Sequence, residues 1–168
     1  MKSLNLIAAF LLVPAVQSAL AKDKETSRQP LIIPVAGSGQ STTSPLGASL
    51  TTRTSTGQSF STTQLGSTTI TRDTSGHTWR TTKVGNSYVT QGPNGQTQTT
   101  TKLGNSYITR DSSSGTTLTT APLGNSYQTR SNTGASWSTS PLGNNYITRE
   151  TASGKDSKPT LIVIPKAK

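Results

Sequence analysis

Five arginines recur at one position of a repeated segment and are the side chains best suited to binding a ligand. The segment reads Leu-Gly-Asn-Ser-Tyr-Ile-Thr-Arg at 103–110, with related copies at 84–91, 123–130 and 142–149 and looser ones starting at 46 and 65. The arginines are Arg53, Arg72, Arg110, Arg130 and Arg149, and Gln91 takes the same place in one copy. On a sheet of hairpins they would stand roughly 10 Å apart, so an anionic polymer could bridge them.

The alternative is that these arginines are strand-end charges that keep a sheet soluble. Asp73, Asp111 and Glu150 each follow one of the arginines directly, and we expect them to neutralise part of the charge. The formal net charge of +10, or +9 without Lys2, favours anionic surroundings such as nucleic acid, acidic polysaccharide or lipid headgroups. It is equally consistent with simple solubility.

Four tyrosines form a second set of equivalent positions, three residues before the arginine position. They are Tyr88, Tyr107, Tyr127 and Tyr146. Aligned aromatic rings can stack sugars or bases. The alternative is packing between neighbouring repeats, which would stabilise the array.

Catalytic side chains are scarce. The only histidine is His77, in one turn close to Asp73 and Ser75, and the mature chain has six acidic residues spread over different segments. The chain has no cysteine, and Gly37-Ser38-Gly39 lacks the strand and helix that flank a phosphate-binding loop. We therefore predict that the protein is not an enzyme and holds no metal or cofactor.

The elements that carry these residues follow from the repeat. Its Leu or Val marker falls at 46, 65, 84, 103, 123 and 142, and a regular step of this length is typical of stacked supersecondary units. Each unit has two β-prone segments rich in Thr, Ile and Tyr and two turns rich in Gly, Asn, Asp and Pro. The unit with one extra residue gains it in the turn 111–115, where register in the strands is unaffected.

Counting across a four-residue turn places Ile70 opposite Trp79, and counting across the longer turn of the fourth unit places Ile108 opposite Leu118. One face of the ladder would then carry an aliphatic–aromatic pair in each unit together with the arginines, and the tyrosines would lie on the other face. The fold class predicted is all-β: tandem hairpin repeats of about 19 residues, forming an elongated antiparallel sheet or a β-solenoid with flexible termini. Tight reversals at both connections favour the hairpin sheet.

The segment Gly115-Thr116-Thr117-Leu118 leading to Pro122-Leu123-Gly124-Asn125 resembles the YD repeats of bacterial RHS-type proteins. That resemblance implies hairpins in a long spiralling sheet and covers most of the repeat region. The chain departs from the pattern, with Arg110-Asp111 in place of Tyr-Asp and Thr116 in place of Arg. Six units are also too few for the hollow shell of that family.

The ends of the chain differ from the repeats. Residues 1–21 have a positive start, an apolar core and Ala19-Leu20-Ala21, which predicts a cleaved signal peptide; an uncleaved anchor is the alternative. Residues 22–44 are predicted to be a mobile leader with a short strand at 31–33, 45–154 the repeat array, and 155–168 a basic tail with a strand at 161–164. The two apolar segments would cap the open ends of the array or dock a partner.

Together these features predict an exported protein, periplasmic or secreted, with no transmembrane segment after signal cleavage. The first hypothesis is a non-enzymatic structural or surface role in an envelope, matrix or fibre, with self-association through sheet edges. The second is a binding module that uses the five arginines to hold an anionic polymer, such as acidic polysaccharide, lipopolysaccharide or extracellular DNA.

Overall fold

The computed structural model describes residues 31–35, 39–153 and 160–164, and these residues form antiparallel strands. The first and last strands are β1 (Leu31–Val35) and β14 (Thr160–Ile164). The others are β2 (Gln40–Leu46), β3 (Ser49–Thr54), β4 (Ser59–Leu65), β5 (Thr68–Asp73), β6 (Thr78–Val84), β7 (Ser87–Gln91), β8 (Thr97–Leu103), β9 (Ser106–Asp111), β10 (Thr117–Leu123), β11 (Ser126–Ser131), β12 (Ser136–Leu142) and β13 (Asn145–Ala152). A single 3₁₀ turn, Pro93–Gly95, connects β7 and β8.

Strands β2 to β13 close into one barrel of twelve strands. Each pairs with its neighbours in sequence, and β13 returns to β2 with Tyr146 opposite Thr43 and Arg149 opposite Gln40. The prediction of antiparallel β-structure is confirmed, and the hairpin repeats are compatible with it. The expectation of an open sheet or a solenoid is wrong, because closure gives each of these strands two partners.

Short turns of two residues join the strands of each hairpin at one end of the barrel. Leu103 pairs with Ser106, and the loop between them is Gly104-Asn105. Gly104 has φ +59°, and the glycines at the equivalent positions have φ between +58° and +61°. A positive φ at the first loop residue is typical of the type II′ turn, whose twist matches that of paired strands.

Longer turns join successive hairpins at the opposite end and set the register there. Asp73 N donates to His77 O (3.1 Å) and Gly76 N donates to Asp73 O (3.3 Å), so the loop is the three residues 74–76 and Gly76 has φ +87°. This is a type I turn followed by a left-handed glycine. It places Arg72 opposite Thr78 and Thr71 opposite Trp79.

The predicted pairing across these turns is therefore wrong by one residue, which moves a whole strand to the other face. Ile70 lies opposite Arg80, and Ile108 lies opposite Thr119 instead of Leu118. The large side chains of the even-numbered strands face the barrel interior. On the odd-numbered strands Ile70, Val89, Ile108 and Ile147 share the outer face with the arginines, while Leu50 faces the interior.

A ring of threonines, one from each barrel strand, lies at mid-height inside the barrel. These residues, called here the threonine ring, are only 1–4% exposed: Thr43, Thr52, Thr62, Thr71, Thr81, Thr90, Thr100, Thr109, Thr120, Thr129, Thr139 and Thr148. Within each hairpin the two Oγ1 atoms share a hydrogen bond of 2.8–3.0 Å. The pairing satisfies hydroxyls that would be costly to bury alone.

Layers of larger side chains lie above and below the threonine ring. Toward the long turns these are Ser41, Phe60, Trp79, Gln98, Leu118 and Trp137, all buried. Phe60 and Trp79 have ring centroids 6.0 Å apart in a tilted arrangement. Toward the short turns the layer consists of Leu50, Thr69, Tyr88, Tyr107, Tyr127 and Tyr146.

Strands β1 and β14 pair with each other as a separate two-stranded ribbon, with Ile33 opposite Ile162. Ile162 and Ile164 are 0% and 1% exposed and pack in one cluster with Leu118 and Trp137 from the barrel interior. A twelve-stranded barrel is roughly 24 Å across, and packed β-layers are about 10 Å apart, so the interior has room for such a ribbon. Of the two segments expected to cap the ends of the array, β14 packs against interior side chains of the barrel through Ile162 and Ile164.

The predicted signal peptide (1–21), the leader as far as Pro30 and the basic residues of the tail outside β14 lie outside the described residues. Strand β2 begins at Gln40, inside the segment predicted to be leader. Within the described ranges, no helix has the length and apolar character required to cross a bilayer.

Candidate functional site

The five predicted arginines form a belt around the outer wall of the barrel. Each lies on an odd-numbered strand, one residue after a member of the threonine ring, and alternation along a strand therefore directs it outward. All five are exposed. Neighbouring positions are two strands apart, roughly 10 Å along the sheet. Because the sheet is closed, the positions face all directions around the axis instead of forming one straight row.

Gln91 leaves a gap in the repeat, and a residue that the sequence reasoning missed fills it. Arg80 on β6 lies directly opposite Gln91 in the register of β6 and β7, and its side chain is exposed. The two-residue turn 85–86 fixes this register: Val84 pairs with Ser87, and four residues farther along each strand Arg80 pairs with Gln91. The sequence signal for Arg80 was therefore the length of this turn. Arg80 and the five predicted arginines together form the arginine belt: Arg53, Arg72, Arg80, Arg110, Arg130 and Arg149.

The acidic residues next to the belt bind backbone N–H groups instead of the arginines. Asp73 Oδ1 accepts from the backbone N–H groups of Ser75 (2.9 Å) and His77 (2.8 Å). Glu150 Oε2 accepts from Gly39 N (3.1 Å). Successive residues of a strand face opposite sides, so Arg72 points outward and Asp73 inward. The expected neutralisation by adjacent carboxylates is therefore not what the geometry shows.

Asp111 makes the most extensive set of these contacts. Its Oδ1 accepts from Ser113 N (2.8 Å) and Ser113 Oγ (2.6 Å), and its Oδ2 accepts from Gln98 Nε2 (3.1 Å). Desolvation would raise the pKa of Asp111, but the hydrogen bonds from Ser113 and Gln98 outweigh it and hold the pKa below its usual value. The carboxylate is thus charged at neutral pH and fixes the longest turn of the barrel.

The arginines have correspondingly few partners. Among residues 31–35, 39–153 and 160–164, the only contact within 4.0 Å between a basic and an acidic side chain joins Asp73 Oδ2 and His77 Nδ1 (2.8 Å). Arg149 Nε donates to Gln40 Oε1 (3.3 Å) and Arg130 Nη2 to Gln128 Oε1 (3.4 Å), both neutral acceptors. Within these ranges no guanidinium of the belt forms an ion pair with a carboxylate.

A groove of about 590 Å³ on the outer wall contains the best-defined surroundings of a belt arginine. Arg110 lies in it between the hydroxyl-bearing Thr99 and Thr117, which are its partners on the two adjacent strands. Ile108 and Leu103 line the groove on the side of the short turns. A guanidinium between two hydroxyl groups can bind an anionic oxygen by charge-assisted hydrogen bonds, with apolar contacts beside it.

The four tyrosines lie on the interior side, opposite to the arginines, as the alternation predicted. Tyr107 is only 8% exposed, and Tyr127 and Tyr146 pack against the cluster that contains Ile162. Desolvation raises the pKa of Tyr88 and Tyr127. These positions contribute to the barrel interior, and they do not form a surface platform with the arginines.

His77 lies at the end of a long turn, with its ring 6.2 Å from Trp79. It pairs with Asp73, whose pKa desolvation would raise but which hydrogen bonds from His77 lower. Ser75 contributes its backbone N–H to Asp73. In the part of the chain that the structure describes, no three His, Asp or Glu side chains cluster as metal ligands would.

Comparison with known proteins gives no match: no family model, no curated protein and no solved structure is similar to this chain.

Proposed function

We propose that this protein is an exported, non-enzymatic β-barrel that binds an anionic polymer through its arginine belt. The observation that carries the proposal is the separation of charge at the belt. Six exposed guanidinium groups encircle the wall, while Asp73, Asp111 and Glu150 bind backbone N–H groups. Unpaired cationic groups at regular spacing attract a polyanion by counterion release.

The closed barrel limits how a polymer can engage the belt. Equivalent arginines in adjacent hairpins are roughly 10 Å apart along the sheet. A straight polymer that lies against the wall reaches two or three of them, and contact with all six requires wrapping. The groove at Arg110 offers a further contact to the polymer, because Ile108 and Leu103 line it beside the guanidinium.

A fibre-forming structural role receives less support from this geometry. Self-association through sheet edges needs unpaired strand edges. The barrel strands β2 to β13 each have a neighbour on both sides. Edge association remains a prediction, but the twelve barrel strands offer no template for it.

The test is retention on heparin and on duplex DNA at low salt, for the wild type and for a variant with all six belt arginines replaced by Gln. We expect the variant to elute without retention. A matched pair of double variants locates the effect. One double variant, Arg110→Gln with Arg130→Gln, removes two positive charges from the belt. The other, Lys83→Gln with Lys102→Gln, removes two positive charges from the opposite end of the barrel.

Only the belt pair should weaken retention substantially. Equal loss in both pairs would mean that net charge alone drives binding, and unchanged retention of the six-fold variant would refute the proposal. The salt dependence gives the number of contacts. Two or three phosphates predict a slope of log K against log salt of about −2 to −3 for duplex DNA, and wrapping predicts a slope of about −5.

A further inference from the structure

Six large aliphatic side chains form a ring at the short-turn end of the barrel. They are Leu46, Leu65, Val84, Leu103, Leu123 and Leu142, each between 58% and 72% exposed. This set is called here the aliphatic rim. Each residue directly precedes the glycine of a two-residue turn, and equivalent positions around a closed barrel lie at one height. The rim is therefore a circle of apolar side chains in approximately one plane.

The turn geometry accounts for the exposure. Leu103 follows Lys102 on β8, and side chains alternate, so Lys102 has the inward parity of the threonine ring and Leu103 points outward. The next residue, Gly104, begins the turn, so no further strand residue covers the leucine. Scattered surface leucines are ordinary, but six at one height on one end of a barrel form a surface.

The charges at this end are of one sign. Lys83 and Lys102 precede Val84 and Leu103 directly and are exposed. Every acidic residue of the barrel strands lies at the other end, next to a long turn: Asp73, Asp111 and Glu150. In the described ranges, the short-turn end thus combines apolar side chains with lysines and carries no carboxylate.

We infer that the aliphatic rim docks the barrel end-on to an anionic lipid surface. A bilayer interface is planar and can receive all six side chains at once, while its headgroups pair with Lys83 and Lys102. A second copy placed rim to rim fits less well, because it would bring these lysines against their own copies with no carboxylate to offset them. The inference does not depend on polymer binding: rim and belt share no residue, and Leu103, the rim residue that lines the groove at Arg110, is left unchanged in the variant that tests the rim.

The test measures binding to phosphatidylcholine vesicles with and without phosphatidylglycerol, by co-sedimentation. The protein is used as it is recovered after export, so that all variants carry the same N-terminus. The combined variant Leu46→Ser, Leu65→Ser and Leu142→Ser should lose roughly tenfold or more in affinity for the anionic vesicles, because binding scales with buried apolar area. The matched control, Ile70→Ser with Ile108→Ser and Ile147→Ser, removes as many aliphatic side chains from the barrel wall and should bind like the wild type.

Charge and orientation are tested separately. Lys83→Gln with Lys102→Gln should weaken binding to the anionic vesicles only. The chain has no cysteine, so a polarity-sensitive dye can be placed on Leu103→Cys or, at the long-turn end, on Thr56→Cys. Only the dye at position 103 should shift to the blue when vesicles are added.

Unchanged vesicle binding in the rim variant, or equal dye shifts at both positions, would overturn the inference. So would a wild type that ignores vesicles but forms a dimer that the rim variant abolishes, since the occupant would then be a second copy. Retention on heparin by the rim variant should match the wild type. Failure of the rim inference is therefore distinguishable from failure of the proposed polymer binding.

Discussion

Thr81 Oγ1 and Thr90 Oγ1 lie 2.8 Å apart inside the barrel, on adjacent strands of one hairpin, and both residues are 2% exposed. The same pair recurs in every hairpin. The mid-height layer of this barrel is therefore a ring of paired hydroxyls, each satisfied by its neighbour within the hairpin.

The paired hydroxyls predict strong non-additivity. Thr81→Val should cost about 1–3 kcal/mol in the free energy of unfolding, because Thr90 keeps a buried hydroxyl without its partner. Adding Thr90→Val should recover most of that loss, since neither hydroxyl then remains. Urea denaturation of both single variants and the double variant measures the coupling. Thr99→Val, on the exposed outer face, should change stability by less than about 0.5 kcal/mol. Additive effects of the two interior substitutions would contradict the pairing.

Packing of the β1–β14 ribbon predicts that Ile162 contributes as much to the free energy of unfolding as a core residue of the barrel does. Ile162 is fully buried against interior side chains of the barrel, so Ile162→Ala should destabilise the fold by about 2–5 kcal/mol. Ile70→Ala, at a half-exposed position on the outer wall, is the control and should cost less. Equal costs, measured by denaturant unfolding, would mean that the ribbon does not contribute to the core.

The short turns predict a backbone effect without any steric clash. A Cβ added at Gly104 meets no atom within 4 Å, but φ there is +59°. Gly104→Ala should therefore cost about 1–2 kcal/mol from backbone strain alone. Asn105→Ala, one residue later and without a positive φ, should cost much less. Thermal unfolding of the two variants distinguishes strain from loss of a side-chain contact.

Asp111 predicts loss of stability in acid. Its pKa in the folded state is below the usual value, so its charged form stabilises the fold above the unfolded-state pKa, and this contribution is lost as the pH falls through the folded-state pKa. Asp111→Asn should be less stable than the wild type at neutral pH, and the difference should shrink in acid. A pH series of denaturant midpoints tests this. A difference that is constant down to the lowest pH would show that the charge contributes nothing.

Tyr88 and Tyr127 predict the opposite dependence in alkali. Burial raises their pKa above the usual value of about 10, so the neutral form is favoured in the folded barrel. Their contribution is complete below the unfolded-state pKa and is lost as the pH rises through the folded-state pKa. Phenolate absorbance should rise together with unfolding in the wild type. In Tyr88→Phe combined with Tyr127→Phe, unfolding should move to higher pH. An unchanged alkaline midpoint would contradict the burial of these rings.

Much of the local structure could be predicted from the sequence. The repeat step, the turn residues and the β-prone segments give the hairpins, and alternation along each strand puts Arg110 and Tyr107 on opposite faces, as the structure has them. The positions of the belt arginines on the surface follow from the same alternation. Local chemistry dictates all of these features.

Register across the long turns could not be read correctly from turn length alone. A three-residue loop closed by a left-handed glycine and a four-residue loop differ by one position, and that one position decides whether Trp79 faces the core or the solvent. The apolar side chains of the even strands were the available signal. Requiring Phe60, Trp79 and Leu118 to share the face of the tyrosines would have given the observed pairing.

Closure and the inner ribbon depend on contacts far apart in the chain. Thr148 pairs with Ser41 and Ile33 with Ile162, and neither pair leaves a periodic trace in the sequence. The repeat alone is compatible with an open sheet, a solenoid or a barrel. Arg80 as a partner of Gln91 was missed for a simpler reason: it lies on an even strand, outside the repeated arginine position.

Closure also constrains how such a gene can change by duplication. An open repeat array can gain or lose one unit at its end, at the cost of one interface. Here an added hairpin would widen the circumference by two strands and draw the threonines away from the ribbon that Ile162 and Ile164 anchor, leaving empty volume in the interior. The number of hairpins is therefore set by the width of the ribbon that fills the barrel. We expect sequence divergence in the loops and on the outer wall before any change in the number of hairpins.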